Sequence, residues 1–425
     1  MASKHHQIVI VGGGTAGITV AARFLRADNK LDVAIIDPAQ KHYYQPAWTL
    51  VGAGVFDYKD TERDEAGLIP KNVTWIQQAA QDMLPDENKV TLANGDEVTY
   101  DYLVVCPGIQ IDLNGIEGLA DAMGKGDVCS NYVDPNYTWE VLQNFKGGNA
   151  LFAQPATLIK CGGAPQKIMY LADDYFQKKG VKDKTNVVFA TPGSVIFGVS
   201  EFAKTLMEVV NRKQITLKFF HRLHKIDAEQ KKAYFTLTTE PIEGCVITHN
   251  PNNAIREEIL GVVDVAIPYD MLHLAPPQSA PDFVKRSKLA HQEGPEKGWV
   301  NVDINTLQHR VYPNVFSLGD VAALPTAKTG AAVRKQAPVL VGNIMHLIQN
   351  KGAAMNPGYH GYSSCPLVTG YGKMVLAEFK YNNVRDSDKL ISTFIDTTKE
   401  QYSMWLLKMY GLPYIYWNLM LKGKM

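Results

Sequence analysis

Two kinds of residue in this chain could do chemistry: glycines spaced to receive a phosphate, and cysteines. Gly12, Gly14 and Gly17 stand in Ile8-Val9-Ile10-Val11-Gly12-Gly13-Gly14-Thr15-Ala16-Gly17, an apolar run that breaks into a glycine turn. In such a loop the first glycine permits the tight turn, the second lets the backbone approach a pyrophosphate, and the third lets the following helix pack closely on the strand. Backbone N–H groups at the helix start then face the phosphates. Asp37 closes a second apolar run about 20 residues beyond the glycines, where an acid can accept from a ribose hydroxyl. The five cysteines, Cys106, Cys129, Cys161, Cys245 and Cys365, form no C-x-x-C pair, which argues against a structural zinc site, a thioredoxin-like motif and a secreted disulfide framework. The histidines have no metal-ligand spacing, and no metal is assigned. Cys161 precedes Gln166 to Lys178, which reads as a helix, so the helix N-terminus and the adjacent Lys160 favour its thiolate.

The elements that must hold these residues follow from hydrophobic pattern. Ile8–Val11, Ile18–Arg26 and Asp32–Ile36 read as strand, helix and strand. Lys41-His42-Tyr43-Tyr44-Gln45-Pro46 and Trp48 to Val55 form an aromatic, glycine-bearing connection able to lie along a flat ring system. Val73–Ile76 is a strand, Lys89–Leu92 and Glu97–Tyr100 flank the hairpin turn Asn94-Gly95, and Tyr102–Val105 is a buried strand ending at Gly108. At 425 residues the chain has room for two or three domains. Lys+Arg and Asp+Glu both number 43, so no basic excess supports nucleic-acid binding. No signal segment is expected before Ile8, and no uncharged apolar run reaches the roughly 18 residues of a spanning helix.

The glycine loop, Val104-Val105-Cys106-Pro107-Gly108 and Asn314-Val315-Phe316-Ser317-Leu318-Gly319-Asp320-Val321 resemble the three FAD signatures of the two-dinucleotide-binding-domain flavoproteins. The resemblance implies an α/β fold of two Rossmann-like domains, of the FAD/NAD(P)-disulfide reductase kind, with a C-terminal membrane-associating segment. The domains would be 1–115 with 300–355 for FAD, 116–299 as a second Rossmann-like unit, and 356–425 as a C-terminal region with Cys365. Asp320 matches the acid at the ribityl and pyrophosphate region; Cys106-Pro107 departs from the usual small residue and threonine. In Asn186 to Gly198, where a second glycine loop is sought, Pro192 stands for a glycine and the spacing is broken. No NAD(P)H site is expected there, and electrons must come from another donor.

Lys160-Cys161-Gly162-Gly163-Ala164-Pro165-Gln166-Lys167 and Ser364-Cys365-Pro366-Leu367-Val368-Thr369-Gly370-Tyr371 closely resemble type II, mitochondrial-like sulfide:quinone oxidoreductases. The likeness extends to Tyr43–Pro46, Cys129–Tyr132, Tyr269–His273 and Thr306–Arg310, nearly the whole chain. It implies FAD contacts at Gly14, Thr15, Ala16, Asp37, Gln45, Ala80, Asp320 and Lys328, beside Gly12, Gly17 and Gly108. It implies further that HS⁻ attacks a Cys161–Cys365 bridge, leaving a persulfide on Cys365 and a thiolate on Cys161. The sulfur would pass to sulfite, glutathione or a second sulfide, and the electrons through FAD to a ubiquinone-like quinone. Cys129 and Cys245 are given no role in this scheme. Gln401 to Tyr410 reads as a short helix that Gly411-Leu412-Pro413 breaks before Tyr414 to Leu421. Aromatic, lysine-edged and too short to span, such a helix pair suits the headgroup region of a respiratory membrane, the bacterial or mitochondrial inner one. A homo-oligomer is compatible with the sequence. The alternatives are a type II NADH dehydrogenase, which requires an intact second glycine loop, and a flavoprotein subunit that reduces a partner cytochrome or serves as a redox sensor.

Overall fold

The computed structural model describes residues 3–239, 247–249, 257–349, 355 and 358–425; Cys245 lies outside them. The opening strand Ser3–Val11 lies at the middle of a seven-stranded sheet, in register with Val33–Ile36 on one side and Glu97–Val105 on the other, both parallel. Val73–Ile76 adds beyond Val33–Ile36, and Val315–Ser317 returns from far along the chain to pair with Leu103–Val105. Ile8, Val9, Ile10, Leu103, Val104 and Phe316 are all buried, as strands covered on both faces must be. The hairpin read at Asn94-Gly95 is present, Lys89–Leu92 pairing antiparallel with Glu97–Thr99.

A second, six-stranded sheet runs Val128–Cys129, Met271–Leu274, Gly148–Ala153, Thr185–Ala190, Thr216–Lys218, with Thr248–His249 antiparallel at its edge. In each sheet one strand lies between the next parallel strand of the chain and one that returns after a long excursion, Ser3–Val11 in the first and Gly148–Ala153 in the second. The strand that corresponds to Ser3–Val11 is therefore Gly148–Ala153, and the connection corresponding to the Gly12–Gly17 loop is Gln154–Gly163, which carries Cys161. The broken loop at Thr191–Gly198 follows Thr185–Ala190, one strand later than the topological equivalent.

Ala280, Val284, Leu289, Ala290 and Trp299 pack in the core of the first sheet. That core thus draws on residues from 280 onward. The C-terminal region serves both units: Cys365, Leu367 and Trp405 lie in the second core, whereas Tyr359, Tyr416 and Leu421 lie in the first.

The final segment differs from the broken helix pair expected of it. Winding is helical from Tyr402 to Met420, α over Tyr402–Leu406 and Leu412–Ile415, π over Leu407–Gly411 and Tyr416–Met420. Pro413 stands in the first turn after a π stretch, where its missing N–H and its ring are tolerated, so Gly411-Leu412-Pro413 changes the pitch without ending the helix. Met404, Trp405, Lys408, Tyr416 and Met420 face inward, while Tyr402, Leu406, Tyr410 and Tyr414, four residues apart, form an exposed stripe. Leu390 and Phe394, on the short helix Lys389–Phe394, are exposed as well. No helix among the described residues is long and apolar enough to cross a membrane.

Candidate active site

Gly12 adopts φ +108°, and a Cβ on it would come within 2.5 Å of the Cys106 carbonyl oxygen, so the loop tolerates no other residue there. Helix α1 (Thr15–Ala27) starts from Gly14 with no side-chain cap, and a Cβ on Gly14 would meet nothing within 4 Å. The N-terminal N–H groups of α1 therefore open onto unfilled space, as a phosphate cradle requires. Asp37 accepts from the Gly13 N–H at 2.5 Å and the Ala39 N–H at 2.7 Å, which fixes its carboxyl beside the loop. A Cβ on Gly319 would come within 3.3 Å of the Ala16 Cβ, which places Asp320 near the start of the same helix. This set of an uncapped helix start, a fixed acid and open space above Gly14 fits a flavin dinucleotide.

At the other end of the cleft, Gln45 Oε1 accepts from Lys160 Nζ at 2.5 Å, and Lys328 Nζ donates to the carbonyl oxygens of Asp320 (2.5 Å) and Ala322 (3.2 Å) while lying 3.9 Å above the Trp299 ring. Burial lowers the Lys328 ammonium to about 8 and depresses Lys160, with Asp320 opposing both. The expected contacts Gln45, Asp320 and Lys328 thus converge, joined by Lys160. Gly108 takes φ +75° in the turn whose Pro107 abuts Gly12. Ala80 begins the strand Ala80–Leu84, four residues after Ile76, whose carbonyl accepts the Asp37 N–H.

Cys161 and Cys365, 204 positions apart in the chain, come together with 4.0 Å between their sulfurs as separate thiols. Cys365 lies on the strand Ser363–Gly370, which packs on helix α2 (Ala164–Lys179). Cys161 sits two residues before the α2 N-cap, Gly163, at φ +85°, a left-handed conformation that disfavours any side chain. Its carbonyl accepts from the Ala164 N–H at 2.7 Å and from Tyr132 Oη at 3.4 Å, so helix and tyrosine together hold the strained residue.

The electrostatics separate the two sulfurs. A hydrogen bond from Cys365 and the Lys167 ammonium, whose Nζ lies 3.2 Å from Cys161 Sγ, hold the Cys161 thiol well below its usual range, and Lys408 adds to the effect. The Cys161 hydrogen bond and burial push Cys365 well up. Lys167 and Lys408 are both buried; Lys408 Nζ donates to the Pro46 carbonyl at 2.6 Å, and burial lowers it to about 7. Lys160, the cation expected to act on Cys161 from its place in the sequence, instead turns to Gln45. Lys167 carried a readable signal, since it lies in the first turn of a helix that begins just after the thiol. Lys408 carried none. Replacing Lys167 with methionine should move the pH profile of Cys161 alkylation in the reduced protein upward, because a neighbouring positive charge that favours the thiolate is lost. An unchanged profile would dissociate Lys167 from the thiolate.

Cys106 and Cys129 are buried thiols whose pKa burial raises, Cys129 to about 12, and neither joins the pair. The connection that would cradle a second dinucleotide is the one occupied by Cys161.

The sequence profile of the pyridine nucleotide-disulphide oxidoreductase family matches residues 6–145. The chain is 41% identical to the mitochondrial sulfide:quinone oxidoreductase of Mus musculus over 425 residues, covering 99% of this chain and 88% of that one. It is also 41% identical to the mitochondrial sulfide:quinone oxidoreductase of Dictyostelium discoideum over 422 residues, 98% of this chain and 86% of the other. Among solved structures, the sulfide:quinone oxidoreductase of Aquifex aeolicus superposes with a TM-score of 0.76 at 19% identity, over 99% of this chain and 92% of that one. That last likeness speaks to the fold.

Proposed function

The chain belongs to the sulfide:quinone oxidoreductases, and from that premise we propose that it oxidises sulfide at the Cys161–Cys365 pair and passes the electrons by way of FAD to quinone. The observation that carries the assignment of the pair is the 4.0 Å approach of two cysteines with Lys167 on one of them.

In the oxidised state the two sulfurs form a bridge. HS⁻ attacks Sγ of Cys365; a new S–S bond forms to Cys365 as the Cys161–Cys365 bond breaks, and the bond pair leaves on Cys161. The direction follows from leaving-group ability, since the thiol of lower pKa departs faster and Lys167 and Lys408 stabilise the thiolate at Cys161. A nucleophile such as sulfite, glutathione or a second sulfide then takes the outer sulfur, leaving Cys365 as a thiolate. FAD, when bound, would supply the two-electron acceptor that re-forming the bridge from the dithiol requires, and the donor that a ubiquinone-like quinone requires. Gly12, Gly14, Thr15, Ala16, Gly17 and Asp37 would hold its adenosine and phosphate half; Gln45, Gly108, Asp320 and Lys328 would orient the other half, with Ala80 beside the adenosine.

The exposed stripe Tyr402, Leu406, Tyr410 and Tyr414, together with Leu390 and Phe394, gives the protein a face for the headgroup region of a respiratory membrane, where quinone is available. Aromatic and aliphatic side chains without a polar screen favour that interface over water.

Anaerobic addition of sulfide to the holoenzyme should bleach the flavin absorbance, and a quinone should restore it. Bleaching by NADH with none by sulfide would overturn the reading in favour of an NADH dehydrogenase.

A further inference from the structure

Glu65 is 1% exposed, yet its Oε1 has no hydrogen-bond partner among the described residues. The other oxygen, Oε2, lies 3.2 Å from His42 Nδ1. From His42 the chain of contacts continues: Nε2 is 2.5 Å from Tyr416 Oη, which is 2.7 Å from Thr15 Oγ1 at the start of helix α1. His42 lies in Lys41–Tyr43, which pairs antiparallel with Glu62–Asp64, and Glu65 follows that second strand directly. Burial pushes the Tyr416 phenol up, so it stays protonated and available as a donor. Trp417 meets His42 edge to face and lies under the Arg63 guanidinium, fastening the C-terminal helical stretch to this strand pair.

A buried carboxylate oxygen without a donor is costly, and the fold has spent three residues on holding this one still. What it faces is given by Gly13. A Cβ built there would lie 3.0 Å from Glu65 Oε1 and 3.1 Å from Asp37 Cγ. Two carboxyl groups therefore flank the same glycine of the dinucleotide loop. Asp37 is partly satisfied by two backbone N–H groups, whereas Oε1 of Glu65 is not. The missing partner must be a neutral donor that can sit between or beside two acids. A vicinal diol meets this need, while a phosphorylated ribose would be repelled.

We propose that Glu65 accepts a ribose hydroxyl from the adenosine half of FAD, alongside Asp37, and that Tyr416 positions Glu65 through His42. The proposal rests on the reading of Gly12–Gly17 as the FAD cradle. It makes the C-terminal helical stretch part of cofactor retention, since its Tyr416 hydroxyl stands at the end of the contacts that orient the acid.

The test uses the full chain stripped of FAD and titrated with FAD and with two analogues lacking either the 2′- or the 3′-hydroxyl of the adenosine ribose, binding being followed by flavin fluorescence. In the wild type one analogue should bind on the order of tenfold more weakly than FAD, the loss expected for one hydrogen bond to a charged acceptor. In Glu65→Ala, FAD itself should weaken by a similar factor and the discrimination against that analogue should vanish, while any that Asp37 exerts against the other persists; in Tyr416→Phe it should shrink. A merely structural role would weaken all three flavins equally and leave the discrimination intact, which would overturn the proposal, as would a wild type indifferent to both hydroxyls. If Glu65→Ala does not fold, Glu65→Gln keeps the shape and removes the charge: reduced discrimination supports the contact, and full discrimination refutes it. A wild type that binds none of the three flavins would refute the cofactor reading as well.

Discussion

Cys161→Ser and Cys365→Ser should each lower sulfide-dependent quinone reduction roughly a thousandfold or more, in line with losing one member of a unit that acts together, and should leave FAD bound. Serine matches cysteine in shape, so packing around the pair is preserved, but its oxygen can neither form the bridge nor carry a persulfide. The two variants should fail differently. Without Cys161 there is no leaving thiolate for Lys167 to stabilise; without Cys365 no sulfur remains to receive sulfide. Neither cysteine contributes to the uncapped start of α1 or to the Lys328–Asp320 contact, so flavin content should remain that of the wild type. Near-normal turnover in either variant would remove the pair from the reaction.

The second large effect concerns the membrane. Changing Tyr402, Leu406, Tyr410 and Tyr414 together to serine should reduce binding to quinone-containing vesicles by on the order of a hundredfold or more, because each apolar side chain withdrawn from the interface forfeits about 1 kcal/mol or more. These four side chains point to solvent, so FAD content and sulfide-dependent reduction of a water-soluble quinone should persist. Undiminished vesicle sedimentation would show that the stripe covers something other than lipid. Deleting residues 401–425 is a poorer experiment than the sequence suggests. That segment also supplies Lys408 beside the cysteines and Tyr416 beside Thr15, and its end lies on α1, where Arg23 donates to the Met425 carbonyl. Its loss would disturb the reaction and the cofactor site along with the membrane face.

Elements whose conformation is dictated by near neighbours were legible in the chain. The glycine loop, the Asn94-Gly95 hairpin and the helix after Cys161 each follow from a local steric or periodic demand. The Gly411-Leu412-Pro413 break failed because inward packing of Trp405, Lys408 and Tyr416 keeps the chain helical, with a change of pitch accommodating the proline. The second glycine loop was sought one strand too late because strand order within a sheet is a long-range property: only the pairing of Gly148–Ala153 with both Thr185–Ala190 and Met271–Leu274 identifies the first strand of that unit.

The sequence by itself determined a glycine turn of the shape a dinucleotide requires at Gly12–Gly17 and a thiol at the mouth of a helix, since turn geometry and helix electrostatics act over a few residues. Only the tertiary structure decided which cations act on that thiol. Lys160 is its neighbour in sequence but bonds to Gln45, whereas Lys167 and Lys408 approach from a helix turn and from a segment 247 positions away (408 − 161). Coulomb interaction depends on distance through space and on burial, and neither can be read from separation along a chain.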